Sequence, residues 1–429
     1  MMKKNIVIIA GGKGTRIQKT LKNTPKILAP IGKKLLIDYQ IEYVRKFKKT
    51  KIHFCLGYGS EQILEYLKKI DLDFSYSIED EPLGTYGALY NSKKYLAKRF
   101  FILYGDVITN FDIDFGFKKF KEYNSDFLLI SRYTDHPQDS DLIFTDEYKT
   151  VKKIFRSNNI DYPYPPIAST ALMFGKKSSL GIFDEVSKPD IVKDYLSSNL
   201  ATLTVKSHLS NSYTKDLGTD SRYKKEVLNV DSNLAQKSKI AFIDRDGTII
   251  ENNEKNNITK FKFKEGAVDL IRYLQEKKYT VVMVTNQPSV AKGFCTKKDV
   301  ENLHNHLQHE LIRKNVKPFH NIKYCPHHPE TGHEGEVKKY KVNCNCRKPL
   351  PYLIFETLSE FNFEKEKTEL LFIGDTLRDY NLAKSLDAQC YIVESELTEK
   401  DKLIKFNVPL SKNLNTLKLK IDNDNNSLN

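Results

Sequence analysis

Asp244-Arg245-Asp246-Gly247-Thr248 sets two carboxylates two residues apart, directly after the apolar run KIAFI. If that run is a strand, both carboxylates stand at its end. The first can attack phosphorus and carry an aspartyl-phosphate. The second, Asp246, can protonate the leaving alkoxide and then deprotonate the water that clears the intermediate. Two further apolar runs end in residues that complete such a site. YTVVMV runs into Thr285, with Asn286 and Gln287 behind it as substrate-binding candidates, and ELLFI runs into Gly374-Asp375-Thr376, with Asp379 beyond. Mg²⁺ is a hard cation that takes oxygen ligands; Asp244, the main-chain carbonyl of Asp246 and Asp375 would supply them. Thr285 and Lys348 fit the hydroxyl and the cation that a transferring phosphoryl group needs on its other oxygens. Read blandly, Asp244 and Asp246 are turn residues and Thr285 a strand cap. Three correctly ordered strand ends favour the chemistry.

Through DRDGT, VTNQ, RKP and GDTLRD, about residues 238–400 resemble the haloacid dehalogenase superfamily of phosphatases. The resemblance is closer still to its histidinol-phosphate and heptose-bisphosphate phosphatases, because Cys325-x-His327, sixteen residues, then Cys344-x-Cys346 looks like their zinc loop. Cys325, His327, Cys344 and Cys346 offer Cys₃His, a complete tetrahedral zinc set. His328 competes with His327, but the C-x-H spacing of that subfamily favours His327. Four protein ligands leave no open position, so such a zinc is structural. Arg347 and Lys348 follow Cys346 at once. The resemblance implies that the arginine helps recognise substrate and the lysine steadies the phosphoryl group. The insert EGEVKKYKV is longer and more charged than in the resembled loops. His333 is read as solvated. His304, His306 and His309 are read as a solvated helix face.

A second chemistry opens the chain. NIVIIA feeds into Gly11-Gly12-Lys13-Gly14-Thr15-Arg16. Glycines let backbone N–H groups turn toward a phosphate with no side chain in the way. Neither the Walker A spacing nor the dinucleotide G-x-G-x-x-G is present. Arg16 and Lys26 would add cations to a triphosphate. Asp106 ends the run FFILYG and Asp216 sits in KDLGTD; two such carboxylates can hold Mg²⁺ against nucleotide phosphates. With GGKGTR, PKILAPIGKKLLID, EDEPLGTYGAL, LYGD and DLGT, about residues 4–227 resemble the sugar-1-phosphate nucleotidylyltransferases. The resemblance implies in-line attack of a sugar 1-phosphate on the α-phosphorus of a nucleoside triphosphate, with pyrophosphate leaving. It brings Gly84 near the base, although a tight turn before a helix explains that glycine nearly as well. The Glu-Lys pair and the Asn-x-Gly segment that often hold the sugar are missing from FRSNNIDYPYPPIASTALMF.

These residues need sheets to position them. In both halves strand-like runs alternate with helical ones, which means α/β with mostly parallel sheets and ligands beyond the carboxyl ends of strands. At 429 residues, 40% hydrophobic, the chain is long enough for two cores. The expected organisation is a Rossmann-like nucleotidyltransferase fold over 1–228, a linker at 229–238, a haloacid dehalogenase-like Rossmannoid with its zinc loop over 239–410, and a frayed polar tail at 411–429. No run approaches the roughly 18 apolar residues of a membrane helix, and the apolar start is too short for a signal peptide. A cytoplasmic protein with reduced thiols is expected. The net charge of +14 comes from scattered lysines interleaved with acids, which suits anionic small molecules better than a nucleic-acid stripe. Taken together the halves read as a bifunctional enzyme of nucleotide-heptose synthesis, with GTP favoured and an ADP-forming route the nearest variant. A nucleic-acid phosphatase and a phosphatase with a non-catalytic nucleotide-binding half remain as rivals. Oligomeric state is not legible.

Overall fold

In a computed structural model the described residues are 4–157, 164–234, 238–251, 261–332, 334–408 and 410–427. The chain forms two compact units, one built chiefly from residues 1–236 and the other chiefly from 237–429.

The first unit is organised on a nine-stranded sheet. Its parallel part joins β1 (Lys4–Ala10), β2 (Thr50–Leu56), β3 (Phe74–Ile78) and β4 (Arg99–Tyr104) in the spatial order β4-β1-β2-β3. The run IVII of β1 is buried throughout, as a central parallel strand requires. The chain moves outward from β1 through β2 to β3, then returns to the other side of β1 with β4. That reversal leaves a crevice at the carboxyl ends of β1 and β4, the place where open α/β sheets take ligands. Outside this sheet, β5 (Val107–Thr109) pairs antiparallel with β7 (Thr214–Asp216), and Val107 lies opposite Asp216. The intervening β6 (Ile167–Lys176) runs antiparallel to β4. A helix at Asp220–Leu234 continues into the stretch expected as linker. Its Val230 packs with Ile31, Tyr39 and Leu217, so burial of one face carries the helix through a polar sequence.

The second unit has a six-stranded, all-parallel sheet. Its strands are β8 (Lys239–Ile243), β9 (Thr280–Asn286), β10 (Asn321–Cys325), β11 (Glu369–Gly374), β12 (Gln389–Val393) and β13 (Leu410–Ser411), in the order β10-β9-β8-β11-β12-β13. Here the switch point lies between β8 and β11. The tail expected to fray is instead a helix over Leu414–Ser427. Leu414, Leu417 and Ile421 are buried in the core beside Leu270, Ile271 and Leu274. Their three- and four-residue spacing makes an apolar stripe that the polar composition hides.

Candidate active sites

At the switch point of the second unit, β8 delivers Asp244 and β11 delivers Asp375. The Asp244 amide donates to the Ile373 carbonyl at 2.9 Å, which stitches the two strand ends together. The turn after Asp375 starts a helix whose Thr376 and Asp379 cap each other. Asp244, Asp375 and Asp379 place carboxylate oxygens within 4.8 Å of one another. Lys348 Nζ reaches into this trio, 2.8 Å from Asp244 and 2.7 Å from Asp379, and is itself buried. Burial, and then the neighbouring carboxylates, push Asp244 up to about 6, although Lys348 pulls the other way. Burial and the Asp244 charge push Asp375 up to about 7. Burial also opposes charge on Asp379, but Lys348 and the Thr376 hydrogen bonds prevail and hold it below its ordinary value. One ammonium cannot neutralise three carboxylates this close, and their mutual repulsion remains. The donor set therefore fits a hard metal ion. Gly247 is required here: it has φ +74°, and a Cβ would stand 2.1 Å from Asp375 Oδ2.

Asp246 stands apart from the trio. The Arg245 guanidinium grips both its oxygens at 3.0 and 2.9 Å, and Gln287 Nε2 donates to Oδ2 at 2.7 Å. Gln287 also donates to the buried Thr285 hydroxyl at 3.0 Å. The Asn286 side chain clamps the Lys348 peptide, accepting from its N–H at 3.0 Å and donating to its carbonyl at 3.2 Å. Asn286 and Gln287, expected to meet substrate, thus have side-chain partners that position the lysine and the second aspartate. Arg245 was missed by sequence reading. Its interior partner is His304, with Nη1 3.1 Å from Nε2. His304 and His309 are buried, against the expected solvated face; only His306 of the three is exposed. They share their helix face with Leu303, Leu307 and Leu311, which packs inward. Ser395 was also missed; its hydroxyl donates to Asp375 Oδ2 at 2.6 Å. Ser395 lies twenty residues from the carboxylate it holds, and nothing in the pattern of types encodes that Arg245 turns onto its neighbour Asp246.

Cys325 ends β10, and the loop after it returns with Cys344 and Cys346. The sulfurs lie 3.3 to 3.5 Å apart, and His327 Nδ1 is 3.2 Å from Cys346 Sγ. Zn–S bonds of about 2.3 Å in a tetrahedron place sulfurs roughly 3.8 Å apart, so the four groups fit one closed ion. His327, not His328, enters the cluster. Hydrogen bonding to Cys325, then burial, drives the Cys346 thiol far up, as expected of thiols packed without a cation. Arg347 donates to the His327 carbonyl at 3.2 Å. His333 lies outside the described residues.

In the first unit the Gly11 loop follows β1 and Asp106 follows β4. Gly105 donates to the Ile9 carbonyl at 2.8 Å, joining the two strand ends. Asp216 arrives through the β5–β7 ladder, and the Leu217 amide donates to the Asp106 carbonyl at 2.9 Å. Lys26 is ion-paired with Asp106. Arg222, missed by sequence reading, is 2.7 Å from Asp216. Burial alone would raise Asp216, but Arg222, the Gly218 amide and Lys26 hold it low. The position a Gly218 Cβ would take is 2.7 Å from Asp216 Oδ1, 3.7 Å from Arg16 and 3.8 Å from Lys26. The structure thus gathers Arg16, Lys26, Asp106 and Asp216. Gly12 opens onto free space, and Gly14 has φ +62°. The Thr15 side chain lies outside those described. Gly84 has φ +74°, and the side a Cβ would fill is taken by the 188–189 backbone at 2.5 Å; the glycine is needed for that close approach. Glu79, passed over within EDEPLGTYGAL, lies against the Gly11 and Gly57 backbone and accepts from the Leu83 amide at 3.2 Å. Gln40 donates to the Tyr104 and Val107 carbonyls, both at 2.9 Å, and pins the turn that carries Asp106.

The nucleotidyl transferase family model matches residues 5–154, and the model described as polynucleotide kinase 3 phosphatase matches residues 239–394. The D-glycero-beta-D-manno-heptose-1,7-bisphosphate 7-phosphatase of Yersinia pestis is 31% identical over 151 residues, 35% of this chain and 77% of the relative. That of Haemophilus influenzae is 34% identical over 143 residues, 33% of this chain and 73% of the relative. The chain belongs to the D-glycero-beta-D-manno-heptose-1,7-bisphosphate 7-phosphatase family. Among solved structures, HddC from Yersinia pseudotuberculosis is 26% identical and covers 53% of this chain and 99% of its own, with a TM-score of 0.45. A phosphatase unit like those of the heptose-bisphosphatases is joined to a nucleotidyl transferase unit, and the chain is a bifunctional enzyme. Among the described residues no helix is long and apolar enough to cross a membrane.

Proposed function

We propose that this chain makes a nucleotide-activated heptose in two steps. The second unit removes the 7-phosphate of D-glycero-D-manno-heptose 1,7-bisphosphate. The first unit then transfers GMP from GTP to heptose 1-phosphate and releases pyrophosphate. The observation that carries this reading is the Asp244–Lys348–Asp379 contact at a strand-end switch point, in one chain with a nucleotidyl transferase unit.

Asp244 attacks phosphorus. Its Oδ–P bond forms as the bond from phosphorus to the sugar oxygen breaks. Asp246, oriented by Arg245 and Gln287, gives its proton to the leaving alkoxide and later takes one from the water that frees phosphate. Lys348 and Thr285 bind the transferring oxygens. Mg²⁺ held by Asp244, the Asp246 carbonyl and Asp375 would offset the repulsion between nucleophile and phosphate. Zinc on Cys325, His327, Cys344 and Cys346 is structural. In the first unit Gly11, Gly12, Gly14 and Thr15 cradle phosphates. Arg16 and Lys26 neutralise charge, and Asp106 and Asp216 would hold a second Mg²⁺. Glu79 supports the choice of GTP: an ionised carboxylate only accepts hydrogen bonds, and guanine presents adjacent N–H donors. The cytoplasm, where thiols stay reduced, is the compartment that suits the zinc set.

Incubation with heptose 1,7-bisphosphate and each of four nucleoside triphosphates in Mg²⁺, with products identified by mass, tests the proposal. GDP-heptose is expected; phosphate release with no nucleotide sugar from any triphosphate would refute the second step. The match to the polynucleotide kinase 3 phosphatase model favours one rival, dephosphorylation of nucleic-acid 3′ ends. Salt-dependent binding and turnover of a 3′-phosphorylated oligonucleotide would support it.

A further inference from the structure

Asp246 keeps 31% of its side chain exposed, while Arg245, Gln287 and His304 are buried. Arg245 links the four. Its Nε and Nη2 grip Asp246, Nη2 also donates to Gln287 Oε1 at 2.6 Å, and Nη1 lies 3.1 Å from His304 Nε2. A guanidinium has donors and no acceptor. His304 Nε2 must therefore accept, which puts the ring proton on Nδ1. Burial, then the Arg245 charge, hold His304 well below its ordinary value, so the ring is neutral and keeps that lone pair. The ring is itself held. Its helix, Lys297–Arg313, buries Leu303, Leu307 and Leu311 beside it, and the Tyr324 ring stands edge-on to it at 5.4 Å. Taking the acceptor away would leave Nη1 a buried, charged donor short of its partner, which is costly. The guanidinium would turn to find another, and Asp246 would lose the two-point grip that sets its direction.

We infer that His304 is a positioning residue for the acid–base step of the phosphatase: it anchors Arg245 so that Asp246 is aimed at the leaving sugar oxygen. The inference rests on the phosphatase reading above and adds to it a residue that acts only through Arg245. A histidine that served the core alone would be replaceable by leucine, which its leucine neighbours on the helix would suit.

In the full chain, His304→Leu removes the acceptor, and His304→Gln keeps an acceptor oxygen. Both are assayed beside the parent on heptose 1,7-bisphosphate, whose leaving alkoxide needs a proton, and on 4-nitrophenyl phosphate, whose phenolate leaves without one. With enzyme in excess over the aryl ester, nitrophenolate release reads the first step alone and also reports that the variant is folded. His304→Leu should lower kcat on the heptose on the order of 10- to 100-fold, as for a displaced general acid, with KM little changed. Its nitrophenolate release should keep the parent rate, and His304→Gln should recover most of the lost kcat. Equal losses on both esters would make His304 a structural residue and overturn the inference. Unchanged heptose kinetics in His304→Leu, or no recovery in His304→Gln, would overturn it too. A parent chain that frees phosphate from neither ester would overturn the phosphatase reading, and this inference with it.

Discussion

A single contact carries the phosphatase proposal: Lys348 Nζ lies 2.8 Å from an Asp244 carboxylate that burial has made reluctant to ionise. Asp244→Asn removes the proposed nucleophile and keeps the shape. Phosphate release should vanish while nucleotidyl transfer to supplied heptose 1-phosphate continues; retained phosphatase activity would remove Asp244 from its role. Lys348→Ala should slow the phosphatase on the order of 10²–10³-fold, with zinc content unchanged. The same carboxylates predict a proton signature. With no metal bound, Asp244 near 6 and Asp375 near 7 are partly protonated at neutral pH. A cation must displace those protons. Mg²⁺ binding should therefore release protons, and its affinity should rise from pH 5.5 to 7.5. Calorimetry in buffers of different ionisation enthalpy checks this, and an affinity independent of pH would contradict it. At this scale sequence reading named what lies on strand ends, because a strand end is a local signal. Ser395 and Glu79 escaped it because the groups they meet come from other segments; Arg245 and Arg222 escaped it because no pattern encodes the direction in which a side chain turns onto a near neighbour.

Elements decide whether such residues meet. The proposed zinc loop is one case: Cys325, His327, Cys344 and Cys346 stand close enough for a tetrahedral ion, and Arg347 and Lys348 follow Cys346 directly. Cys344→Ser should lower zinc content from one per chain and weaken phosphatase activity through disorder of that loop, while nucleotidyl transfer is spared. Full zinc occupancy in this variant would break the link from metal to loop to catalysis. A second case is β6, where Ala171 has φ +63° inside a strand. A left-handed alanine costs roughly 1–2 kcal/mol, and glycine gives back part of that relief through its greater freedom when unfolded. Ala171→Gly should raise stability by about 0.5–1 kcal/mol, seen as a higher Tm of the first unit. An unchanged or lower Tm would mean that the surrounding packing prefers the methyl group. The parallel sheets were legible from strand–helix alternation. The terminal helix was not, since its polar face dominates the composition while only Leu414, Leu417 and Ile421 face the core.

Across the whole molecule, each active site draws its residues from one unit. Asp106 and Asp216 meet through the β5–β7 ladder of the first, and Asp244, Asp375 and Lys348 meet at the β8–β11 switch of the second. The net charge of +14 suits a chain proposed to take anionic phosphates in both units. Because each proposed site is built from one unit, the two activities should be separable by mutation. Asp106→Ala and Asp216→Ala should each stop pyrophosphate release and leave phosphate release intact. Because both carboxylates are read as holding one metal, the double variant should be little worse than either single, as for residues that act as a unit. Each single leaves its cation, Lys26 or Arg222, without its partner, so binding of the triphosphate should survive better than turnover does. Steady-state assays of both activities, with triphosphate binding measured directly, decide it. Singles that keep the parent transfer rate with every triphosphate would mean the first unit binds nucleotide without turning it over. Singles that lose both activities together would mean the two units do not work as separate catalysts.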